Sequence, residues 1–136
     1  MYPLDDTIAA IATAPRGGLR GIIRLSGPES LSVVGHHFES AEPQDAWRAN
    51  QKAGVTAGSL RLDEHRQVPC ELYCWPTAQS YTRQPTVELH TTGALPLLEQ
   101  LLEILCHSGA RLAGPGEFTL RAFLAGRLDL TQAEAV

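Results

Sequence analysis

Over one short stretch the hydrophobic period of this chain changes from two to about 3.6, and that change dictates a helix laid on a sheet. Thr86-Val87-Glu88-Leu89-His90-Thr91 alternates cleanly: Val87, Leu89 and Thr91 face one way, Glu88 and His90 the other. Directly after it, Leu97, Leu98, Leu101, Leu102, Ile104 and Leu105 recur at helical spacing between Ala94 and His107. Gly109 is placed to end that helix.

The flanking segments extend the same pattern. Residues 7–13 and 20–26 read as strands joined through the turn Pro15-Arg16-Gly17-Gly18, and Ser26-Gly27-Pro28 opens a helix over 29–38. The polar stretch 40–51 reads as a surface connection. Strands over 54–62 and 67–75 form a hairpin about Asp63-Glu64-His65-Arg66, and 78–85 is a loop. A short strand about Arg111-Leu112-Ala113 precedes the turn Gly114-Pro115-Gly116 and a helix over 117–125 stopped by Gly126. A last helix begins near Thr131, capped with Glu134, and Val136 falls inside it, so the chain is expected to be a piece of something longer. The expected class is α+β, with a mixed β-sheet and packed helices.

Composition removes several functions. With 136 residues, 43% of them hydrophobic, the chain suits one packed core, and no apolar run is long enough for a membrane span. No signal peptide is visible at Met1-Tyr2-Pro3-Leu4-Asp5-Asp6, so the expected compartment is the cytoplasm. Cys70 and Cys74, four apart in a strand, share a face and read as reduced structural thiols, as does Cys106. The formal charge is −4, and Lys52 is the only lysine among 11 lysines and arginines. No basic stripe for gripping RNA phosphates is visible, and arginine without lysine points to forked contacts with carboxylates.

The candidate chemistry is for binding, not catalysis. There is no P-loop, and Gly17-Gly18-Leu19-Arg20-Gly21 leads into a strand instead of a phosphate-binding helix. None of the five histidines has metal-ligand spacing, and no catalytic residue or metal site is expected. Glu88 is either a solvent-facing carboxylate or an acceptor for paired N–H donors of a flat heterocycle. Arg24, within Ile22-Ile23-Arg24-Leu25, is exposed, ion-paired, or a fork for a ligand's oxygens. In Pro115-Gly116-Glu117-Phe118-Thr119-Leu120-Arg121-Ala122-Phe123 the aromatics read as core, and Glu117 with Arg121 as a modest i, i+4 surface pair.

The tail from Pro115 to Val136 is very similar to the tRNA-modification GTPase family called MnmE or TrmE, at the end of its amino-terminal domain and the start of its helical domain. Asp6-Thr7-Ile8-Ala9-Ala10 and Arg24-Leu25-Ser26-Gly27 match its opening pattern, and Ser80-Tyr81-Thr82 with Val87-Glu88-Leu89-His90 is a third, weaker match. The resemblance implies that residues 1–126 bind a folate and dimerise, and that 127–136 begin the helical domain. It implies a fold similar to the tetrahydrofolate-binding domain of the glycine-cleavage aminomethyltransferase. It also implies contact of Arg24, Glu88 and Arg127 with 5-formyltetrahydrofolate or 5,10-methylenetetrahydrofolate. The carboxylate suits a pterin's amide and amino edge, and arginines suit the ligand's oxygens.

The whole protein implied by the resemblance is a homodimeric GTPase. With a flavin-containing MnmG-type partner it modifies carbon 5 of the wobble uridine, meeting tRNA through the full complex. GTP, magnesium and potassium belong to a G domain beyond Val136, and a carboxy-terminal catalytic cysteine is also implied beyond it. Departures are Arg20 for a small or aliphatic residue, Arg83-Gln84-Pro85 for Gly-Glu-Asp, Thr92-Gly93-Ala94 for a run with two glycines, and Ala125 for asparagine. The alternative is a structural dimerisation module that has lost its folate.

Overall fold

The computed structural model describes residues 5–12, 20–42, 46–49 and 51–126. The turn at Pro15–Gly18, Arg127 and the helix expected near Thr131 lie outside the described residues. The elements are β1 (Ile8–Ile11), β2 (Arg20–Ser26), α1 (Ser30–Gly35), β3 (Phe38–Ser40), α2 (Ala46–Ala49), β4 (Gly54–Arg61), β5 (Gln67–Trp75), β6 (Thr86–Thr92), α3 (Leu95–His107), β7 (Arg111–Leu112) and α4 (Glu117–Leu124).

The strands form one sheet in the order β3-β4-β5-β6-β2-β1-β7. All described neighbours are antiparallel except β1 and β7, which run parallel, so the sheet is mixed and the α+β expectation holds. Alternation sorts the two faces. Ile23, Leu25, Leu72, Val87 and Leu89 are buried and meet Leu98, Leu101 and Leu105 of α3 and Val33 and Val34 of α1. Leu98, Leu101 and Leu105 follow the i, i+3, i+7 rule, and each contributes about 1.5–3 kcal/mol by burial. Gly21 is required where β2 passes beneath α3: a Cβ there would lie 2.5 Å from Leu98 Cδ1 and 2.9 Å from the Thr92 carbonyl oxygen. Among the described residues no helix is long and apolar enough to cross a membrane.

Cys70 and Cys74 lie together on the core face, as their spacing requires. Burial pushes the Cys70 thiol up to about 12 and the Cys74 thiol up to about 11, so both stay protonated at neutral pH.

Three local readings are corrected. The helix expected over 29–38 stops at Gly35, because Phe38 pairs with Leu60 as an edge strand and packs edge-on against Trp47. The supposed connection 40–51 contains α2, anchored by the buried Trp47; four residues are too few to show a helical period. Glu117 and Arg121 are buried, not a surface pair, while Phe118 and Phe123 are only half-buried.

Arg83 sits at φ 59°, the left-handed region that costs an L-residue about 1–2 kcal/mol. It occupies the tip of the 80–85 loop, at the position where the family resemblance places glycine. Arg83→Gly is therefore expected to stabilise the fold by about 0.5–1 kcal/mol, after glycine's own entropy loss is subtracted. Urea unfolding checks it: the midpoint rises with an unchanged slope, whereas a lower midpoint shows that the loop gains more from Arg83 than its backbone loses.

Candidate functional site

The sheet face opposite α1 and α3 carries the candidate site. Arg24 of β2 is the register partner of Glu88 of β6, and Glu88 is the partner of Tyr73 of β5. Strand alternation thus places all three on one face, away from the apolar core. Arg24 Nε donates to Glu88 Oε2 at 2.9 Å, and the two side chains are 35% and 16% exposed, between surface and core. His90, two residues along β6, places Nε2 3.1 Å from Glu88 Oε1. With Nε2–H donated to the carboxylate, His90 Nδ1 is an acceptor, buried with no hydrogen-bond partner. Each Glu88 oxygen is therefore oriented by one protein donor and keeps a second lone pair.

A pocket of about 380 Å³ opens beside this pair. Trp75 and Thr86 line it from the sheet, Ser80, Tyr81 and Thr82 from the loop, and Phe118 and Thr119 from α4. Its size is at the lower end for small-molecule sites, about 300–1,000 Å³. The Arg24 guanidinium carbon lies 5.7 Å from the Phe118 ring centroid, a cation–π contact that sets the roof over the ion pair. Outside the pocket the floor continues as an aromatic row. Tyr73 and Trp75 stack with centroids 6.5 Å apart, and the His90 ring lies 4.1 Å from that of Tyr73.

The roof is fixed by charge. Arg121 donates through Nη2 to Asp6 Oδ1 at 2.5 Å, and through Nη1 to the Asp6 carbonyl at 2.7 Å and Gln84 Oε1 at 3.0 Å. Arg111 Nε and Nη2 reach the two Asp6 carboxylate oxygens at 2.6 and 3.2 Å, and its Nη1 and Nη2 reach Glu117 at 3.0 and 2.6 Å. The Gly114 N–H donates to Glu117 Oε1 at 2.9 Å. Two carboxylates thus face two guanidiniums, with Glu117 and Arg121 almost wholly buried. Hydrogen bonding from Arg111, with Arg121 adding to it against burial, holds the Asp6 carboxyl below its ordinary value. Burial acts to raise Glu117, but the bonds from Arg111 and Gly114 and the two nearby cations outweigh it, and its pKa is lowered.

Of the residues singled out from sequence, Arg24 and Glu88 come together in the pocket, and Arg127 lies outside the described residues. The reading missed Trp75, Thr86, Phe118 and Thr119 as site residues, and Ser80, Tyr81 and Thr82 entered it only as a family match. Thr86 was legible, since it shares the strand face of Glu88; Phe118 carried no separate signal, because its motif looks like core. The residues at 83–85 do not line the pocket. Gln84 holds Arg121, and the Pro85 carbonyl accepts from the Gly27 N–H at 2.9 Å, so both serve the scaffold. Among the described residues no cluster of His, Cys, Asp or Glu suits a metal ion. Among the described lining residues no nucleophile is paired with an adjacent base, and the carboxylate, guanidinium, hydroxyls and aromatic rings have the chemistry to hold a flat, polar, hydrogen-bonding ring.

The family described as "GTP-binding protein TrmE N-terminus" matches residues 7–127. The "tRNA modification GTPase MnmE" of Rhodopirellula baltica is 44% identical over 97% of this chain and 28% of its own length. Proteins of the same description from Synechococcus sp. (strain JA-2-3B'a(2-13)) and Nostoc sp. (strain PCC 7120) are 47% and 44% identical, each over 98% of this chain and 29% of theirs. The chain thus spans under a third of the length of these relatives.

Proposed function

The chain belongs to the family of TrmE amino-terminal domains, the amino-terminal part of tRNA-modification GTPases, and from that premise we propose that its pocket holds a one-carbon-substituted reduced folate. The observation that carries the reading is the Arg24–Glu88 pair beneath Phe118, in a pocket lined by both hydroxyls and aromatic rings. A pterin presents adjacent N–H donors, and Glu88 keeps one free lone pair on each oxygen to receive them. Arg24 suits a ring carbonyl or formyl oxygen, and Trp75 and Phe118 suit the ring faces. The residues present therefore fit 5-formyltetrahydrofolate or 5,10-methylenetetrahydrofolate. Such a ligand supplies the one-carbon unit; the chain's own residues bind it, orient its ring and exclude water from one face. Arg127 is carried over as a third contact by the family resemblance alone.

Of the departures from the family pattern, which speak for the structural alternative, residues 83–85 and Ala125 lie outside the pocket lining and so leave its ring contacts unchanged. The wider reading follows the family. Residues 1–126 form the folate and dimerisation domain, similar in fold to the tetrahydrofolate-binding domain of glycine-cleavage aminomethyltransferase, and 127–136 begin a helical domain. The longer protein binds GTP with magnesium and potassium in its G domain. As a cytoplasmic homodimer with a flavin-containing MnmG-type partner, it modifies carbon 5 of the wobble uridine, and tRNA is met by the full complex.

Calorimetric titration with 5-formyltetrahydrofolate, with the mass in solution recorded alongside, tests the reading. Saturable binding to a dimer is expected. A folded dimer that gives no heat and no competition would leave a structural dimerisation module as the function.

A further inference from the structure

We propose that Arg20 forms a subsite for the carboxylate tail of the ligand whose ring is held at Arg24 and Glu88; the inference rests on the folate reading above. Arg20, Ile22 and Arg24 point to one face of β2, and their register partners on β6 are Thr92, His90 and Glu88. The face thus has three levels. The first is the hydrogen-bonding pair Arg24–Glu88. The second is Ile22 beside the His90 ring, which leans on Tyr73. The third is the Arg20 cation. At about 3.4 Å per residue the first and third levels, four residues apart, are separated by about 14 Å. That is the order of separation between the pterin edge and the carboxylates in a molecule with an aminobenzoyl spacer.

A second hollow, of about 350 Å³, surrounds the third level, with Arg20, Glu71, Pro69, His90 and Thr92 among its walls. His90, a wall of the second hollow, also hydrogen-bonds Glu88 of the first pocket, so this contact joins the two hollows. A ligand ring seated at Glu88 can therefore lay its aryl spacer across Ile22 and His90 and reach the second hollow with its tail.

Arg20 is available for exchange. Among the described residues it pairs with Glu71, and the two side chains are 54% and 40% exposed. A pair so open to water contributes about 1 kcal/mol or less, whereas a guanidinium receives a carboxylate through two parallel N–H bonds. A ligand carboxylate can therefore replace or share Glu71 without breaking the fold. The subsite makes the chain selective for folates that carry glutamate over their tail-less pteroate counterparts.

The test compares 5-formyltetrahydrofolate with 5-formyltetrahydropteroate, which lacks glutamate, on the purified chain and on Arg20→Gln and Glu71→Gln. The wild type is expected to prefer the glutamate form by about tenfold. Arg20→Gln should bring the two ligands within about twofold by weakening only the glutamate form, and Glu71→Gln should widen the preference. Equal affinities in the wild type, or a preference that survives Arg20→Gln, overturns the subsite and leaves the ring site standing. Failure of the wild type to bind either ligand overturns the ring site and the subsite together.

Discussion

Glu88→Ala is expected to lower the affinity for 5-formyltetrahydrofolate by at least about a hundredfold on the proposed reading, because hydrogen bonds to a charged carboxylate contribute about 1.5–3 kcal/mol each and two are lost. The fold survives the change. Arg24 is a third exposed and keeps its contact with Phe118, so its cation is not stranded, and the stability cost is expected near 1–2 kcal/mol. Titration of the folded variant decides the matter. Affinity equal to that of the wild type removes Glu88 from the site. Glu88→Gln refines it: the amide keeps the shape but turns one acceptor into a donor, which faces either the Arg24 or the His90 donor, so it should resemble the alanine variant.

Arg121→Met is the change expected to cost most in stability, about 3–5 kcal/mol, as removal of one partner from a buried charge network leaves the others uncompensated. Arg121 is 2% exposed and binds Asp6, Gln84 and Glu117, so the cost is not screened by water as it is at Arg20. A domain of this size has about 5–15 kcal/mol in all, and the melting temperature should fall by about 10–20 °C. A loss below about 1 kcal/mol would mean that the network is no stronger than a surface pair.

The pH dependence has a definite sign. Asp6 and Glu117 have lowered pKa values in the fold, so their contribution is present above the ordinary carboxylate range and fades as the pH falls through the folded values. The stability gap between wild type and Arg121→Met should therefore be widest near neutrality and narrow in acid. Urea unfolding at a series of pH values measures it.

The sheet was legible because alternation is a local property: β2 and β6 ended up where their patterns placed them, and Arg24 and Glu88 fell on the polar face. What escaped was non-local. Nothing in the spacing of Glu117 and Arg121 distinguishes a surface pair from a buried one, since burial is decided by Asp6 and Arg111, which arrive from elsewhere in the chain. Phe118 became a roof for the same reason: the network turns that face of α4 onto the sheet. Phe38 was assigned to a helix because its pairing partner, Leu60, lies far along the sequence.

The contact between Asp6 and Arg121 closes a sequence separation of 115 residues. Synthesis adds about 5–20 residues per second, so Asp6 waits on the order of ten seconds before its partner exists. During that interval strands β1 to β6 can pair without the pocket, whose roof is among the last described parts to be made. Closing so long a loop is slow relative to local hairpin formation, so the pocket is completed at the end of folding and not in any early compact state.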